Sequence, residues 1–144
     1  MRISAKAEYA CVAMLELAAN YGEPQPLPIK AIAEAQSIPQ NFLVQILLQL
    51  KTAQLVVSVR GASGGYQLAR PPEDITLADI INAIDDRAAT SRSALIKGRL
   101  SPAVGVVLGI WQEVQAEEQR ALQRVTLAEL VRRIQEDHAL SYQI

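Results

Sequence analysis

Between residues 40 and 65 the chain gathers side chains that recognise by hydrogen bond and charge: Gln40, Asn41 and Gln45, then Lys51 and Arg60. No acid occurs from 35 to 72. Asn and Gln amides match the N6 and N7 edge of adenine, a valine such as Val44 can pack on a thymine methyl, and Arg or Lys can neutralise phosphate. Bond-making chemistry is poorly supplied by comparison. The chain has one cysteine, Cys11, and one histidine, His138. This excludes an intramolecular disulfide and any all-cysteine metal site within one chain. No Cys–His or Ser–His arrangement has supporting spacing, and no Gly-rich loop ends in Lys-Ser/Thr. The adjacent acids Asp85-Asp86 and Glu117-Glu118 point apart on a helix or turn and make no carboxylate dyad. An enzyme is therefore not expected, and no cofactor is.

The amides fall on a segment whose period is helical. From Gln40 to about Ala53, Phe42, Leu43, Ile46, Leu47 and Leu50 cover one side, while Asn41, Val44, Gln45, Leu48 and Thr52 line the other. That outer stripe is nearly uncharged, which is unusual for a solvated face. Either its first turn reads base edges, or Val44 and Leu48 pack against another part of the protein.

Upstream, Ser4 can cap a helix to about Asn20 whose stripe runs Ala7, Ala10, Cys11, Met14, Leu15 and Ala18. Tyr9, Val12 and Leu17 add apolar groups on its other faces, so this helix should be deeply buried or shared with a partner. Cys11 is expected as a small core residue. A loop with Gly22 and Pro28 leads to a short helix at 29–36, and Ser37-Ile38 turns tightly into the amide-bearing helix.

Downstream, Val56-Val57-Ser58-Val59 and Gln67-Leu68-Ala69 flank Arg60-Gly61-Ala62-Ser63-Gly64-Gly65-Tyr66. Two β-prone runs joined by a Gly-rich linker read as a hairpin with a longer loop. Alone this is only a turn. After a short helix, a tight turn and a longer helix with a polar outer stripe, it takes the place of a wing.

Pro71-Pro72 stops the second strand. Thr76-Leu77-Ala78-Asp79 is a capping-box pattern opening a helix to about Ile84, and 85–100 reads as irregular. Ser101-Pro102 starts a long helix with Val104, Val107, Leu108, Trp111, Val114 and Leu122 along one side, and Thr126-Leu127-Ala128-Glu129 starts a last one with Leu127, Leu130, Val131 and Ile134 inward. A helix of ~20 residues spans roughly 30 Å, too long for so small a domain to cover alone. Pairing with the same helix of a second chain is the expected solution, with two-fold symmetry, and Gly105 and Gly109 could permit close approach.

The chain of 144 residues suits one domain or a small domain with an extension. Half its residues are hydrophobic and 4% aromatic, a helical composition. No apolar run approaches the ~18 residues of a membrane span, and no signal-peptide core opens the chain, so a cytoplasmic location is expected. The net charge of −1 hides an asymmetry. Residues 1–72 carry six basic and four acidic residues, and 73–144 carry eight and eleven. Locally, an acid-free window is the electrostatic footprint of a DNA-facing element.

The ordered run of Ser4-Ala5-Lys6-Ala7-Glu8-Tyr9-Ala10 with Ala13-Met14-Leu15, Ile32-Ala33-Glu34, Ile38, Phe42-Leu43, Gln45-Ile46 through Leu50, Leu55-Val56, Ser58-Val59-Arg60-Gly61 and Gly64-Gly65-Tyr66-Gln67-Leu68-Ala69 carries a family likeness. It resembles the Rrf-type (IscR/NsrR/CymR-like) winged helix-turn-helix transcriptional regulators. The resemblance implies a mainly α fold with a small β-hairpin and a long dimerisation helix. It divides the chain into a DNA-binding domain at 1–72, a post-wing helix and irregular segment at 73–100, and dimerisation and C-terminal helices at 101–144. It implies a homodimer on a palindromic operator in double-stranded DNA, acting as a repressor. Gln40, Asn41, Val44 and Gln45 would read bases. Arg60 would enter the minor groove or clamp phosphate, with Lys51 and the backbone of Gly61, Gly64 and Gly65 positioning. Val104, Val107, Leu108, Trp111 and Val114 would form the dimer contact.

Two departures stand out. Many members ligate an iron–sulfur cluster through three cysteines between the post-wing and dimerisation helices, and 85–100 here contains no Cys or His. A cluster held in that way is not expected. Val44 stands where members often carry an acid able to accept from cytosine N4, so the preferred DNA should differ. Any signal would be an unidentified small molecule. The alternative is a dimeric ligand- or protein-interaction module that has lost useful DNA binding, which the low charge of the outer stripe and the acidic C-terminal half would suit.

Overall fold

The computed structural model describes residues 2–85, 94–98 and 101–142. Among them the elements are α1 (Ala5–Ala19), α2 (Ile29–Gln36), α3 (Gln40–Thr52), β1 (Val56–Val59), β2 (Gly65–Leu68), α4 (Leu77–Ile84), α5 (Pro102–Gln123) and α6 (Leu127–Tyr142), with 3-10 turns at Pro72–Asp74 and Ala94–Lys97. Of the irregular segment expected at 85–100, residues 86–93, 99 and 100 lie outside the described residues. The described part includes the Ala94–Lys97 turn.

The Ser4 hydroxyl caps α1, accepting from the Ala7 N–H at 3.0 Å. Along α1, Ala7, Ala10, Ala13, Met14, Leu17 and Ala18 are buried, and the small alanines let α2, α3, α4 and α6 approach its axis closely. Cys11 and Leu15 are only half-buried, at the rim of the core. Leu43, Ile46, Leu47 and Leu50 of α3 are fully buried against this surface, with Ile32, Leu55 and Val56 closing the core. Burial of these branched side chains, on the order of 1.5–3 kcal/mol each, fixes which face of α3 turns inward.

Two non-glycine residues with positive φ shape the motif. Ser37 (φ 54) ends α2 and turns the chain into α3, and Gln54 (φ 63) turns α3 into β1. The strands pair antiparallel with Val56 opposite Leu68 and Val59 opposite Gly65. Leu27 joins them as an isolated bridge, its N–H donating to the Tyr66 carbonyl at 3.0 Å and its carbonyl accepting from the Tyr66 N–H at 2.8 Å. The result is a winged helix-turn-helix, mainly α with one small hairpin.

Thr76 and Asp79 form the reciprocal capping box at the start of α4. The Leu77 N–H donates to the Val125 carbonyl and the Leu127 N–H to the Ile75 carbonyl, both at 2.9 Å, so the starts of α4 and α6 are stitched together. Ile75 and Leu127 thereby enter the same core as α3.

The long helix α5 behaves differently. Of its 22 residues only Leu122 is buried, against Ala7, Ala78 and Ile81. The helix is about 33 Å long, and its other residues are half-buried or exposed. Beyond the anchored C-terminal end of α5, α6 buries Leu127 and half-buries Leu130 and Val131, but Ile134 is 54% exposed. The inward placement expected for Ile134 is thus wrong, because α6 outruns the body it packs on and residues 132–140 are all exposed.

Candidate nucleic-acid interface

Helix α3 presents Gln40, Asn41, Val44, Gln45 and Lys51 to solvent, with Leu48 at the centre of the same face. Val44 is 44% and Leu48 59% exposed, so neither is spent on packing within the chain. This closes the alternative in which the outer stripe is an internal contact. The Thr52 hydroxyl donates back to the Leu48 carbonyl at 3.0 Å, which occupies its donor.

Arg60 is exposed where β1 meets the turn. It and Lys51 both line one groove of about 560 Å³, together with Gln54, Val56, Val57, Ser58 and Ala69. The end of α3 and the foot of the wing therefore bring both cations to a single concave surface without a carboxylate in its lining. Arg70, the third cation of the acid-free stretch, instead faces Asp79 of α4 at 3.9 Å.

The three wing glycines have separate causes. Gly61 takes φ +117, a conformation that side chains resist, and stays exposed. At Gly64 a Cβ would lie 2.2 Å from the Val59 carbonyl oxygen, and the Gly64 N–H already donates to the Gly61 carbonyl at 3.0 Å. At Gly65 a Cβ would lie 2.2 Å from the Leu27 carbonyl oxygen. So Gly64 and Gly65 are required by the turn and by the Leu27 bridge, whereas the Gly61 backbone faces outward. Sequence reasoning grouped all three by proximity, because the partner of Gly65 lies far upstream.

The apolar residues of α5 divide by depth. Val104, Val107 and Leu108 are half-buried, while Trp111 and Val114 are each 48% exposed. Sequence reasoning missed Val106 (68%) and Ile110 (47%), which with Val114 follow at i, i+4 and i+8. Nothing within 4 Å would meet a Cβ at Gly105 or Gly109.

The titratable candidates do not assemble. Cys11 lies in α1, its thiol pushed up to about 11 by burial first and then by Glu8 and Asp85. His138 lies on α6. Among the described residues no three His, Cys, Asp or Glu side chains gather to hold a metal ion, and no helix is long and apolar enough to cross a membrane.

Residues 3–133 match the family model described as Rrf2, iron-dependent transcriptional regulator. The HTH-type transcriptional regulator IscR of Sodalis glossinidius is 34% identical over 131 residues, 91% of this chain and 79% of that protein. Among solved structures, T. potens IscR superposes with a TM-score of 0.77 at 35% identity, covering 95% of this chain and 90% of its own. The oxidized form of Staphylococcus aureus CymR does so with 0.73 at 32%, covering 91% and 96%. These are transcriptional regulators rather than enzymes. With an outward recognition-type helix, a cationic wing and this likeness along nearly its whole length, the chain belongs to the Rrf2 family of winged-helix, DNA-binding transcriptional regulators.

Proposed function

We propose that this chain is a cytoplasmic, homodimeric repressor that binds a palindromic operator without an iron–sulfur cluster. The observation that carries the reading is the junction of the exposed, uncharged face of α3 with the Lys51–Arg60 groove on one acid-free side. Gln40, Asn41, Val44 and Gln45 read base edges in the major groove. Arg60 reaches minor groove or phosphate, Lys51 contacts phosphate, and the wing backbone at Gly61, Gly64 and Gly65 helps to seat the hairpin. For Gly64 and Gly65 that help is indirect, through the shape of the turn.

The family description names iron. The donor set of this chain does not fit a cluster held by three thiolates, because Cys11 is its single cysteine and its thiol is half-buried in α1. A second copy supplies the symmetry that a palindrome mirrors, through the exposed row on α5.

The test is a fluorescence titration of the purified chain with duplexes enriched from a random pool against unselected DNA. A preference of 10³-fold or more at physiological salt is expected for a specific regulator. Equal binding to both would instead favour the interaction-module reading.

A further inference from the structure

Val44 and Leu48 are one turn apart on α3 and about 40° apart around it, and both reach solvent. Leu48, the more exposed at 59%, occupies the middle of the outward face, with Asn41 and Gln45 on one side of it and Lys51 on the other. A leucine at the centre of a surface that also carries amides, a hydroxyl, a cation and Val44 contributes nothing to the chain's core. Its surroundings state what covers it. The face is acid-free and flanked by cations, which suits a polyanion, and an apolar edge within it suits the apolar group that a major groove offers.

We infer that Val44 and Leu48 form a two-residue reading edge for the 5-methyl groups of two thymines in each half-site. The inference rests on the DNA-binding reading above and deepens it. Four residues advance about 6 Å along the helix. Successive bases on one strand are about 3.4 Å apart, so the two methyls fall within about two base steps of each other. Discrimination has two sources. A thymine methyl buried on Val44 or Leu48 leaves water. A guanine O6 or cytosine N4 pressed there would lose water and find no partner, since neither side chain can hydrogen-bond. Asn41 and Gln45, adjoining the edge, are placed to take the N6 and N7 of adenine at neighbouring pairs. The half-site is therefore A·T-rich where α3 enters it.

The experiment first enriches duplexes from a random pool with the full chain, then replaces single thymines of the enriched site by 2′-deoxyuridine, which removes only the methyl. Two positions within about two base steps are expected to weaken wild-type binding about three- to fivefold each when replaced, the order of one buried methyl. Val44→Ala should become insensitive to replacement at one of them and Leu48→Ala at the other. Wild-type binding that is indifferent to uracil at every position overturns the inference, and so does a Leu48→Ala variant that keeps full sensitivity at both. In either case the enriched operator, and hence the regulator reading, stands. Failure to enrich any sequence overturns both together. The wild-type arm needs no variant, so the outcome does not depend on how a substituted α3 folds.

Discussion

At the scale of single residues, the roles proposed for Arg60 and Leu48 on DNA are opposite in kind. Arg60 is exposed at the wing and shares the groove with Lys51, so its contribution to DNA binding should be electrostatic and indifferent to sequence. Arg60→Ala is therefore expected to weaken binding to operator and random duplex alike. Each lost phosphate contact should flatten the plot of log affinity against log salt by about 0.9. Titrations at several salt concentrations measure this, and an unchanged slope removes Arg60 from the phosphate role. Cys11 contributes no comparable chemistry. A thiol raised to about 11 by burial is almost wholly protonated near neutrality, a poor nucleophile and a poor ligand.

At the scale of elements, the wing is held by a contact that crosses from the α1–α2 loop. The Leu27 carbonyl accepts from the Tyr66 N–H, and it sits where a Cβ at position 65 would be. Gly65→Ala must push two backbone segments apart, and should destabilise the fold by about 1–3 kcal/mol, as overpacking does. A urea midpoint lowered at constant slope would show it. A midpoint equal to wild type would mean that the bridge can yield. Local pattern made most of this element legible: alternating β-prone residues on both sides of three glycines specify a hairpin. The pattern could not reveal why Gly65 is glycine, since that depends on a residue 38 positions upstream. The same division holds for helices. The inner and outer faces of α3 were legible because its leucines repeat at helical spacing over a core that covers them. Ile134 was misplaced because periodicity locates an apolar stripe but does not say where the supporting body ends. On α5 the fault is reversed, for Val106 and Ile110 carry the exposure that a count along the neighbouring row passed over.

At the scale of the whole molecule, the protomer exposes 9540 Å². A compact monomer of 15.7 kDa would expose about 7,300 Å². Along α5, Val106, Ile110, Trp111 and Val114 are exposed and apolar. A standard interface takes about 800 Å² from each partner. A second copy of α5 against this side would bury the row and relate two α3 helices by a two-fold axis. Ile110→Asp should then place an uncompensated carboxylate in the interface, costing several kcal/mol per protomer relative to leaving it in water. The variant is expected to sediment as a monomer at concentrations where wild type is a dimer. Its thermal midpoint should lose its dependence on concentration. Because Ile110 is outside the buried core, the protomer's own fold should persist, with far-UV circular dichroism close to wild type. Operator affinity should fall to that of a single half-site, while the response to uracil within that half-site is unchanged, since α3 is untouched. A variant that remains dimeric would move the interface away from this face of α5 and leave the row without its partner.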